Sequence, residues 1–372
     1  MSGGLLKKYA TVLMIFSLIV FVVLVNKYHQ KALNYSFIRS IDASRSIKSS
    51  GCEEFLVELN MQVPSVLIDA RKLNDMKNGN CTLSRNDPIS IGVDAQYEGI
   101  QNPYLRVVSF TNDSETDYLE LHTSQPQLIP QFFKHRLIGQ LQVPTDVPKF
   151  EGFLKRSRHI LCSNRTMDRN MTESGSSVQD SADGLALLRD ELLDFGIFSF
   201  LNGGTLLGWY RECSVIPHTT DMDLAVFAWD FNPDYTNFVH HNSTKFKLLR
   251  KFGMLNDSFE LTVVPKTVDG LRIDIFLMYN TTEDGKDMTY VGGVDPDGSK
   301  FKFIYPVYDP WCATDLLGHI FWLTCNPEQN LAKEYGKEWY LDHPSSRYNW
   351  KGRSKKNGKW THEQMKTVYN IY

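Results

Sequence analysis

Three acidic residues in the second half of the chain have types and positions that suit a metal-binding site. Asp221 and Asp223 open an apolar run that ends at Phe227, and Asp274 lies inside a later apolar run, Leu271–Leu277. Side chains at positions i and i+2 of a strand project from the same face, and neighbouring carboxylates repel each other unless a cation lies between them. An all-oxygen ligand set suits Mg²⁺ or Mn²⁺. We therefore predict that Asp221, Asp223 and Asp274 are metal ligands and catalytic residues.

A glycine pair precedes these carboxylates by about twenty residues. Gly203 and Gly204 follow an apolar stretch and lie in a turn that is predicted to precede a helix at about Leu206–Arg211. Glycine lets a backbone approach a ligand closely, and a helix N-terminus favours an anion. We therefore predict that Gly203, Gly204 and Thr205 bind a phosphate group through their backbone N–H groups. Arg211 is predicted to neutralise phosphate oxygens, with a plain surface arginine as the alternative.

The elements that position these residues follow from the apolar pattern, which predicts a mixed α/β fold. A helix is predicted over Val178–Phe195, because its leucines fall on one face and Gly196 is placed to end it. The first half of the chain is predicted to hold a helix at Cys52–Met61 and strands at Val63–Ala70, Ile89–Val93 and Leu105–Phe110. The second half is predicted to hold strands at Ile197–Leu201, Met222–Phe227, Phe259–Val264 and Leu271–Tyr279.

Composition excludes several classes of protein. The chain has 372 residues, of which 42% are hydrophobic, and this is enough to build a core rather than a disordered polymer. Its net charge of −3 argues against nucleic-acid binding driven by phosphate neutralisation. The six cysteines have no C-x-x-C spacing, so they favour disulfides over a zinc cluster. Six cysteines allow about fifteen complete pairings, and all of them stay open here.

The N-terminal segment predicts that the protein is located in the secretory pathway. Residues 9–25 form an uncharged apolar run without a cleavage site after it, so we predict a signal anchor with a cytoplasmic tail at residues 1–8. All glycosylation sequons lie beyond this run, which favours a single-pass type II protein with a luminal catalytic part. The sequon asparagines are Asn34, Asn80, Asn112, Asn164, Asn170, Asn242, Asn256 and Asn280.

The luminal part is predicted to contain a stem and two domains. Residues 26–50 are polar and suit a stem, and residues 51–162 form an N-terminal domain. Residues 163–180 are polar and rich in Ser and Asn, so they are predicted to be a linker. Residues 181–372 form the catalytic domain.

The order of these motifs resembles a known family. A Gly-Gly turn, a D-x-D pair and a lone Asp on a later strand are typical of the nucleotidyltransferase fold. The stretch Phe200–Phe227 (FLNGGTLLGWYRECSVIPHTTDMDLAVF) resembles fukutin-like proteins of the LicD family. The resemblance continues at Leu271–Phe276, Gly298–Tyr305, Glu334–Trp339 and the C-terminal Ile371–Tyr372. It is firm over residues 180–372 and looser before them.

The resemblance implies an activity. Members of this family are Golgi type II proteins that transfer ribitol 5-phosphate from CDP-ribitol to a glycan, and bacterial relatives transfer phosphocholine from a CDP carrier. It therefore implies a phospho-alcohol transferase in the Golgi or endoplasmic reticulum, dependent on Mg²⁺ or Mn²⁺. The partners implied are a CDP-linked alcohol donor, a glycan or glycoprotein acceptor and other Golgi transferases. Trp209 and Tyr210 would stack on the cytosine, with a place in the core as the alternative.

Two other functions stay open. A glycosyltransferase that uses a sugar nucleotide also binds its metal with a D-x-D motif, but it lacks the Gly-Gly turn just upstream. A non-catalytic scaffold or chaperone for Golgi transferases would be expected to have a broken carboxylate set, whereas all three residues are present. The basic run Arg353–Lys359 is interpreted as a solvated tail, with attraction of an anionic glycan as the alternative.

Overall fold

The computed structural model describes residues 51–372 except 98, 170–176, 269, 308–310, 344–348 and 350. The predicted tail, membrane anchor and stem (residues 1–8, 9–25 and 26–50) lie outside these residues, as do Asn34 and Asn170. Within the described ranges, no helix is both long enough and apolar enough to span a membrane. The described residues form eight helices and eighteen strands, which confirms the mixed α/β fold.

The first 155 residues contribute three described helices and seven strands. In chain order they are α1 (Cys52–Leu59), β1 (Ser65–Leu67), α2 (Ala70–Lys77), β2 (Ile89–Asp94), β3 (Leu105–Asn112), β4 (Tyr118–Leu121), β5 (Gln127–Pro130), β6 (His135–Ile138), β7 (Leu141–Pro144) and α3 (Val147–Lys155).

The rest of the chain contributes five helices and eleven strands within the described ranges. In chain order they are α4 (Val178–Asp194), β8 (Phe200–Leu201), α5 (Gly203–Glu212), β9 (Asp221–Phe227), α6 (Asp234–His241), β10 (Phe246–Met254), β11 (Asp257–Pro265), β12 (Arg272–Glu283), β13 (Lys286–Val294), β14 (Ser299–Pro306), β15 (Trp311–Leu316), β16 (His319–Thr324), α7 (Pro327–Glu334), β17 (Lys355–Lys359), α8 (His362–Val368) and β18 (Tyr369–Ile371).

The chain divides into two compact units. Of the described residues, the first unit contains 51–111 and Lys134–Val147, and the second contains Asn112–Phe133 and those within Pro148–Tyr372. In the first unit β1 pairs antiparallel with β2 and parallel with β7, β2 pairs parallel with β3, and β6 and β7 form an antiparallel hairpin. The domain boundaries drawn from the sequence stay predictions.

The second unit is organised around strand β12. Its first half lies between β9, which runs parallel to it, and β11, which runs antiparallel, and its second half pairs with β13. Strand β10 pairs with the far side of β11. Helix α4 buries Leu185, Leu188 and Leu192 in the core beside this sheet, so the predicted helix and its apolar face are confirmed.

Two predicted boundaries around the glycine pair differ from the structure. The ladder between β8 and β9 begins only at Phe200, so the strand is shorter than the predicted Ile197–Leu201, and Ile197 is buried outside it. Helix α5 begins at Gly203 rather than Leu206. The glycines are therefore the first turn of the helix and not a separate turn before it.

The cysteines form three disulfides. The pairs are Cys52–Cys81, Cys162–Cys213 and Cys312–Cys325. The structure thus selects one of the pairings that the sequence left open. The second disulfide joins residue 162 to the C-terminal end of α5, so it anchors the helix whose other end holds the glycine pair.

A buried charge network stabilises the second unit away from the glycine pair. Arg189 is 1% exposed and forms ion pairs with Asp117 at 2.9 Å and with Asp190 at 2.7 Å. His319 lies between two carboxylates, with Nδ1 2.8 Å from Asp117 and Nε2 2.9 Å from Asp183. Its hydrogen bond to Asp117 raises the pKa of His319 above the usual value, although burial opposes the shift.

Replacement of His319 by Gln tests this network. Because the pKa of His319 is higher in the folded chain, its charged form stabilises the fold below the unfolded pKa, and this contribution is lost as the pH rises through the folded pKa. We expect His319→Gln to lower the free energy of unfolding by about 1 kcal/mol at pH 5 and by much less at pH 8. Urea unfolding followed by tryptophan fluorescence measures both values. The exposed His362→Gln is the control, and an equal loss for His319→Gln at both pH values would contradict the assignment.

Candidate active site

The carboxylate of Asp223 lies against the first turn of helix α5. Its Oδ2 atom accepts a hydrogen bond from the N–H of Gly204 at 2.7 Å, and its own N–H donates to Oγ1 of Thr205 at 2.7 Å. Gly203 has a φ of +51°, and a Cβ atom there would lie 2.6 Å from Oδ2 of Asp223. Glycine is therefore required at residue 203 both by the backbone conformation and by the space that Asp223 occupies.

Four adjacent strands place polar side chains in one row. Asp223 on β9 is in register with Asp274 on β12, Asp274 with Thr262 on β11, and Thr262 with Arg250 on β10. Residues in register across a sheet project from the same face, so these side chains are neighbours. We call Asp223, Asp274, Thr262 and Arg250 the polar row. The prediction that carboxylates on two strands meet is confirmed, since β9 and β12 are adjacent.

Asp274 is held by the far end of the polar row. Arg250 Nη2 lies 3.3 Å from Oδ1 and 3.1 Å from Oδ2 of Asp274, and the hydroxyl group of Thr262 donates a short hydrogen bond to Oδ1. Burial raises the pKa of Asp274 to about 6, although Arg250 and Thr262 lower it. Asp274 therefore stays mostly ionised at neutral pH and is oriented by two donors.

Glu260 is an acidic residue that the sequence analysis missed. It lies on β11 two residues before Thr262, is 6% exposed, and forms an ion pair with Arg250 at 3.0 Å. Burial and the nearby charge of Asp274 raise the pKa of Glu260 to about 8. Its signal was present in the sequence, because a charge inside the predicted strand Phe259–Val264 is as costly as Asp274 within its own strand.

The neighbouring carboxylates also affect the pKa of Asp223. Burial raises the pKa of Asp223 well above its usual value, and the charges of Asp221, Asp274 and Glu334 raise it further. The hydrogen bond from Gly204 opposes this effect. Several carboxyl groups therefore lie close together beside the start of α5, and Arg250 carries the one guanidinium group among the four residues of the polar row.

A cavity of about 1190 Å³ opens over the polar row. Among the described residues, its lining carries eight carboxylates and three guanidinium groups, an excess of acidic side chains that would repel an anionic ligand. Of the predicted site residues, the cavity brings together Asp221, Asp223, Asp274, Gly203, Gly204 and Arg211.

The carboxylates do not form a ready three-ligand metal centre. Among the described residues, no group of three or more His, Cys, Asp or Glu side chains is arranged to hold a metal ion. Asp274 contacts Arg250 and Thr262 instead of completing a site with the other two aspartates. Asp221 and Asp223 remain a donor set of the right chemistry, because Mg²⁺ is commonly bound by one or two carboxylates together with substrate phosphates.

The residues predicted to bind phosphate are engaged within the protein. The N–H of Gly204 is donated to Asp223, and the hydroxyl group of Thr205 accepts from the backbone of the same residue. Arg211 is 2% exposed and forms ion pairs with Glu212 and Asp342, each at 2.9 Å. The N–H of Gly204 and the guanidinium group of Arg211 are therefore held by partners within the protein.

The two aromatic residues predicted to stack on a base lie elsewhere. Trp209 is fully buried, and its indole N–H donates to the carbonyl of Asp315 at 2.9 Å. Tyr210 packs between Trp209 and Trp339, with ring centroids at 5.8 and 5.3 Å. Helix α5 turns this side toward the core, so the structure agrees with the alternative of a packing role for both residues.

The described sequon asparagines are all exposed. They are Asn80, Asn112, Asn164, Asn242, Asn256 and Asn280. Glycosylation needs an accessible asparagine, so the fold leaves each of these six positions open to it.

Comparison with known proteins gives two family matches. Residues 51–161 match the family described as "W02B3.4-like, N-terminal domain", and residues 196–326 match "LicD/FKTN/FKRP, nucleotidyltransferase domain". The second match covers the glycine pair, β9, β11 and β12, and therefore the three aspartates.

Individual relatives extend this similarity over most of the chain. Uncharacterized protein W02B3.4 of Caenorhabditis elegans is 47% identical over 329 residues, which is 86% of this chain and 85% of that protein. Uncharacterized protein T07A5.1 of the same organism is 40% identical over 96% of this chain and 97% of its own length. Ribitol-5-phosphate transferase FKTN of Homo sapiens is 28% identical over 63% of this chain, and the match spans 51% of that protein.

Replacement of Gly203 by Ala tests the contact between Asp223 and helix α5. Gly196 is the matched control, because its φ of +74° is also left-handed and a Cβ atom there would meet nothing within 4 Å. Gly196→Ala reports backbone strain alone, whereas Gly203→Ala also displaces the Asp223 carboxylate. We expect Gly203→Ala to cost about 1–3 kcal/mol more than Gly196→Ala in urea unfolding. Equal losses for the two variants would show that Asp223 is not confined by the glycine.

Proposed function

The chain belongs to the fukutin-like LicD family, and we propose that it transfers a phospho-alcohol from a CDP-activated donor to a hydroxyl group of a glycan or glycoprotein. The alcohol that we propose is ribitol 5-phosphate or a close analogue, because the relative from Homo sapiens is named a ribitol-5-phosphate transferase. The observation that carries the proposal is the polar row beside the start of α5, which lines a cavity large enough for a nucleotide donor.

Asp221 and Asp223 would hold a divalent cation, Mg²⁺ or Mn²⁺, together with phosphate oxygens of the donor. Such an ion would neutralise the diphosphate and the departing CMP, which is the main electrostatic need of phosphoryl transfer. The fit rests on the donor set, because two carboxylates at positions i and i+2 of β9 line the same cavity. Gly204 fixes the Asp223 carboxylate at the helix terminus, so this ligand is oriented before the donor enters.

Asp274 is proposed to accept the proton of the acceptor hydroxyl group. The hydroxyl oxygen forms a bond to the phosphorus that carries the alcohol, the bond from that phosphorus to the CMP oxygen breaks, and the proton moves to a carboxylate oxygen of Asp274. Arg250 and Thr262 hold Asp274 in place for this step. A pKa of about 6 leaves Asp274 ionised at neutral pH, as a general base requires.

We also propose that the protein is a single-pass type II membrane protein of the Golgi or endoplasmic reticulum with a luminal catalytic part. The apolar run at residues 9–25 supports an anchor. Three disulfides support an oxidising compartment, and six exposed sequon asparagines support a luminal location.

A donor screen tests the transfer reaction. The full-length chain would be incubated with Mn²⁺ or Mg²⁺ and, in separate reactions, CDP-ribitol, CDP-glycerol, CDP-choline and UDP-sugars. We expect CMP release from a CDP-alcohol, and we expect Asp221→Asn and Asp223→Asn each to lower its rate by at least about 100-fold. The exposed Asp287→Asn controls for an unspecific loss of charge. UDP release alone would indicate a glycosyltransferase, and no release from any donor would favour a scaffold.

Digestion with an N-glycosidase tests the proposed topology. If residues 26–372 are luminal, the chain isolated from a secretory-competent cell carries glycans, and digestion increases its electrophoretic mobility. Replacing the six exposed asparagines by Gln should abolish most of that change, since each is accessible in the fold. An unchanged mobility of the wild-type chain would place this part of the protein outside the lumen.

A further inference from the structure

Several groups that could bind phosphate already have partners within the protein, so they do not explain how the diphosphate of the donor is bound. The N–H of Gly204 is donated to Asp223, Arg211 is paired with Glu212 and Asp342, and Arg250 is paired with Glu260 and Asp274. We infer that Arg353, from the C-terminal basic run, binds the diphosphate group of the donor. This inference deepens the proposed function and depends on it for the identity of the donor.

Arg353 differs from the other arginines of the cavity. It is exposed, lines the cavity and, within the described part of the chain, forms no ion pair. Two further arginines line the described part of the cavity, Arg211 and Arg250, and each contacts two carboxylates. A guanidinium group without a protein partner can bind two phosphate oxygens without first breaking an ion pair.

The guanidinium group of Arg353 lies in a space that the absence of a side chain at Gly336 leaves open. It packs on Gly336, where a Cβ atom would lie 2.2 Å from Nη2 and 2.5 Å from Cζ of Arg353. Gly336 also has a φ of +88°, so the backbone favours glycine there for a second reason. The chain therefore leaves space at the end of α7 for this one side chain.

The end of α7 lies beside the polar row. The hydroxyl group of Tyr335 is 4.0 Å from the position of a Cβ atom on Gly204, and the charge of Glu334 contributes to the raised pKa of Asp223. Gly336 is the next residue after these two. Arg353 is thus held next to the segment that faces the start of α5, where the proposed cation and the diphosphate would meet.

The rest of the basic run is engaged elsewhere. Lys355 forms an ion pair with Glu283 at 2.7 Å, and Lys359 forms one with Asp297 at 3.1 Å. Lys356 is exposed and does not line the cavity. Residues 355–359 form strand β17, which pairs with β14, so its lysines are exposed on a strand and not on a free tail, whereas Arg353 lines the cavity. This contrast supplies a matched control.

Equilibrium binding of CDP to the full-length chain in Mn²⁺ tests the inference. We expect Arg353→Gln to weaken CDP binding by about tenfold to a hundredfold, the loss of one charge-assisted bidentate contact. Binding of cytidine, which has no phosphate, should stay unchanged, and Lys356→Gln should bind CDP like the wild type. CDP affinity that is unchanged in Arg353→Gln, or reduced as much in Lys356→Gln, would overturn the inference.

A second variant keeps the positive charge of Arg353 but changes its position. Gly336→Ala displaces the guanidinium group, and Gly285→Ala is its control because Gly285 has a φ of +73° with open space around it. We expect weaker CDP binding for Gly336→Ala alone, and equal affinity in both variants would count against the assigned position. A separate outcome distinguishes the diphosphate site from the proposed transfer activity. CDP binding that depends on Arg353, without CMP release from any CDP-alcohol, would support the diphosphate site and contradict the transferase activity.

Discussion

The hydrogen bond between the Asp223 carboxylate and the N–H of Gly204 is the contact on which the site depends. It joins a strand of the central sheet to the first turn of helix α5, and it requires residue 203 to lack a Cβ atom. A carboxylate at a helix N-terminus is stabilised by the helix dipole, which offsets part of the cost of burying it among other acidic groups. The glycine pair therefore binds and accommodates the carboxylate of Asp223, which belongs to the protein itself.

The remaining geometry follows from the register of four strands. Because β9, β12, β11 and β10 are neighbours in register, Asp223, Asp274, Thr262 and Arg250 must lie in one row. Arg250 partly neutralises the acidic charge at its end of the row, while Asp221 and Asp223 leave an excess of carboxyl groups at the other. A buried excess of this kind costs stability, and a cation and a diphosphate would together relieve it.

Local patterns in the sequence predicted much of this. The sequence placed Asp221 and Asp223 on one face of a strand and Asp274 in a buried strand, and it predicted α4 from the spacing of its leucines. Each of these features depends only on residues within about ten positions in the chain. The partners that Gly204 and Arg211 have within the protein could not be predicted, because Asp223 and Asp342 are distant from them in the chain. The contacts of Arg250 and Arg353 depend on which strands become neighbours and on the empty space at Gly336, so the local sequence could not predict them. The disulfide pairing was likewise fixed only by the fold.

The central claim is that the acidic end of the polar row and a divalent cation together bind a nucleoside diphosphate. Calorimetric titration of CDP into the full-length chain, once with Mn²⁺ and once with EDTA, tests it most directly. The account predicts that CDP binds at least about tenfold more tightly with Mn²⁺, and that Asp223→Asn removes this difference. Equal CDP affinity in Mn²⁺ and EDTA, or an Mn²⁺ effect that survives Asp223→Asn, would contradict it.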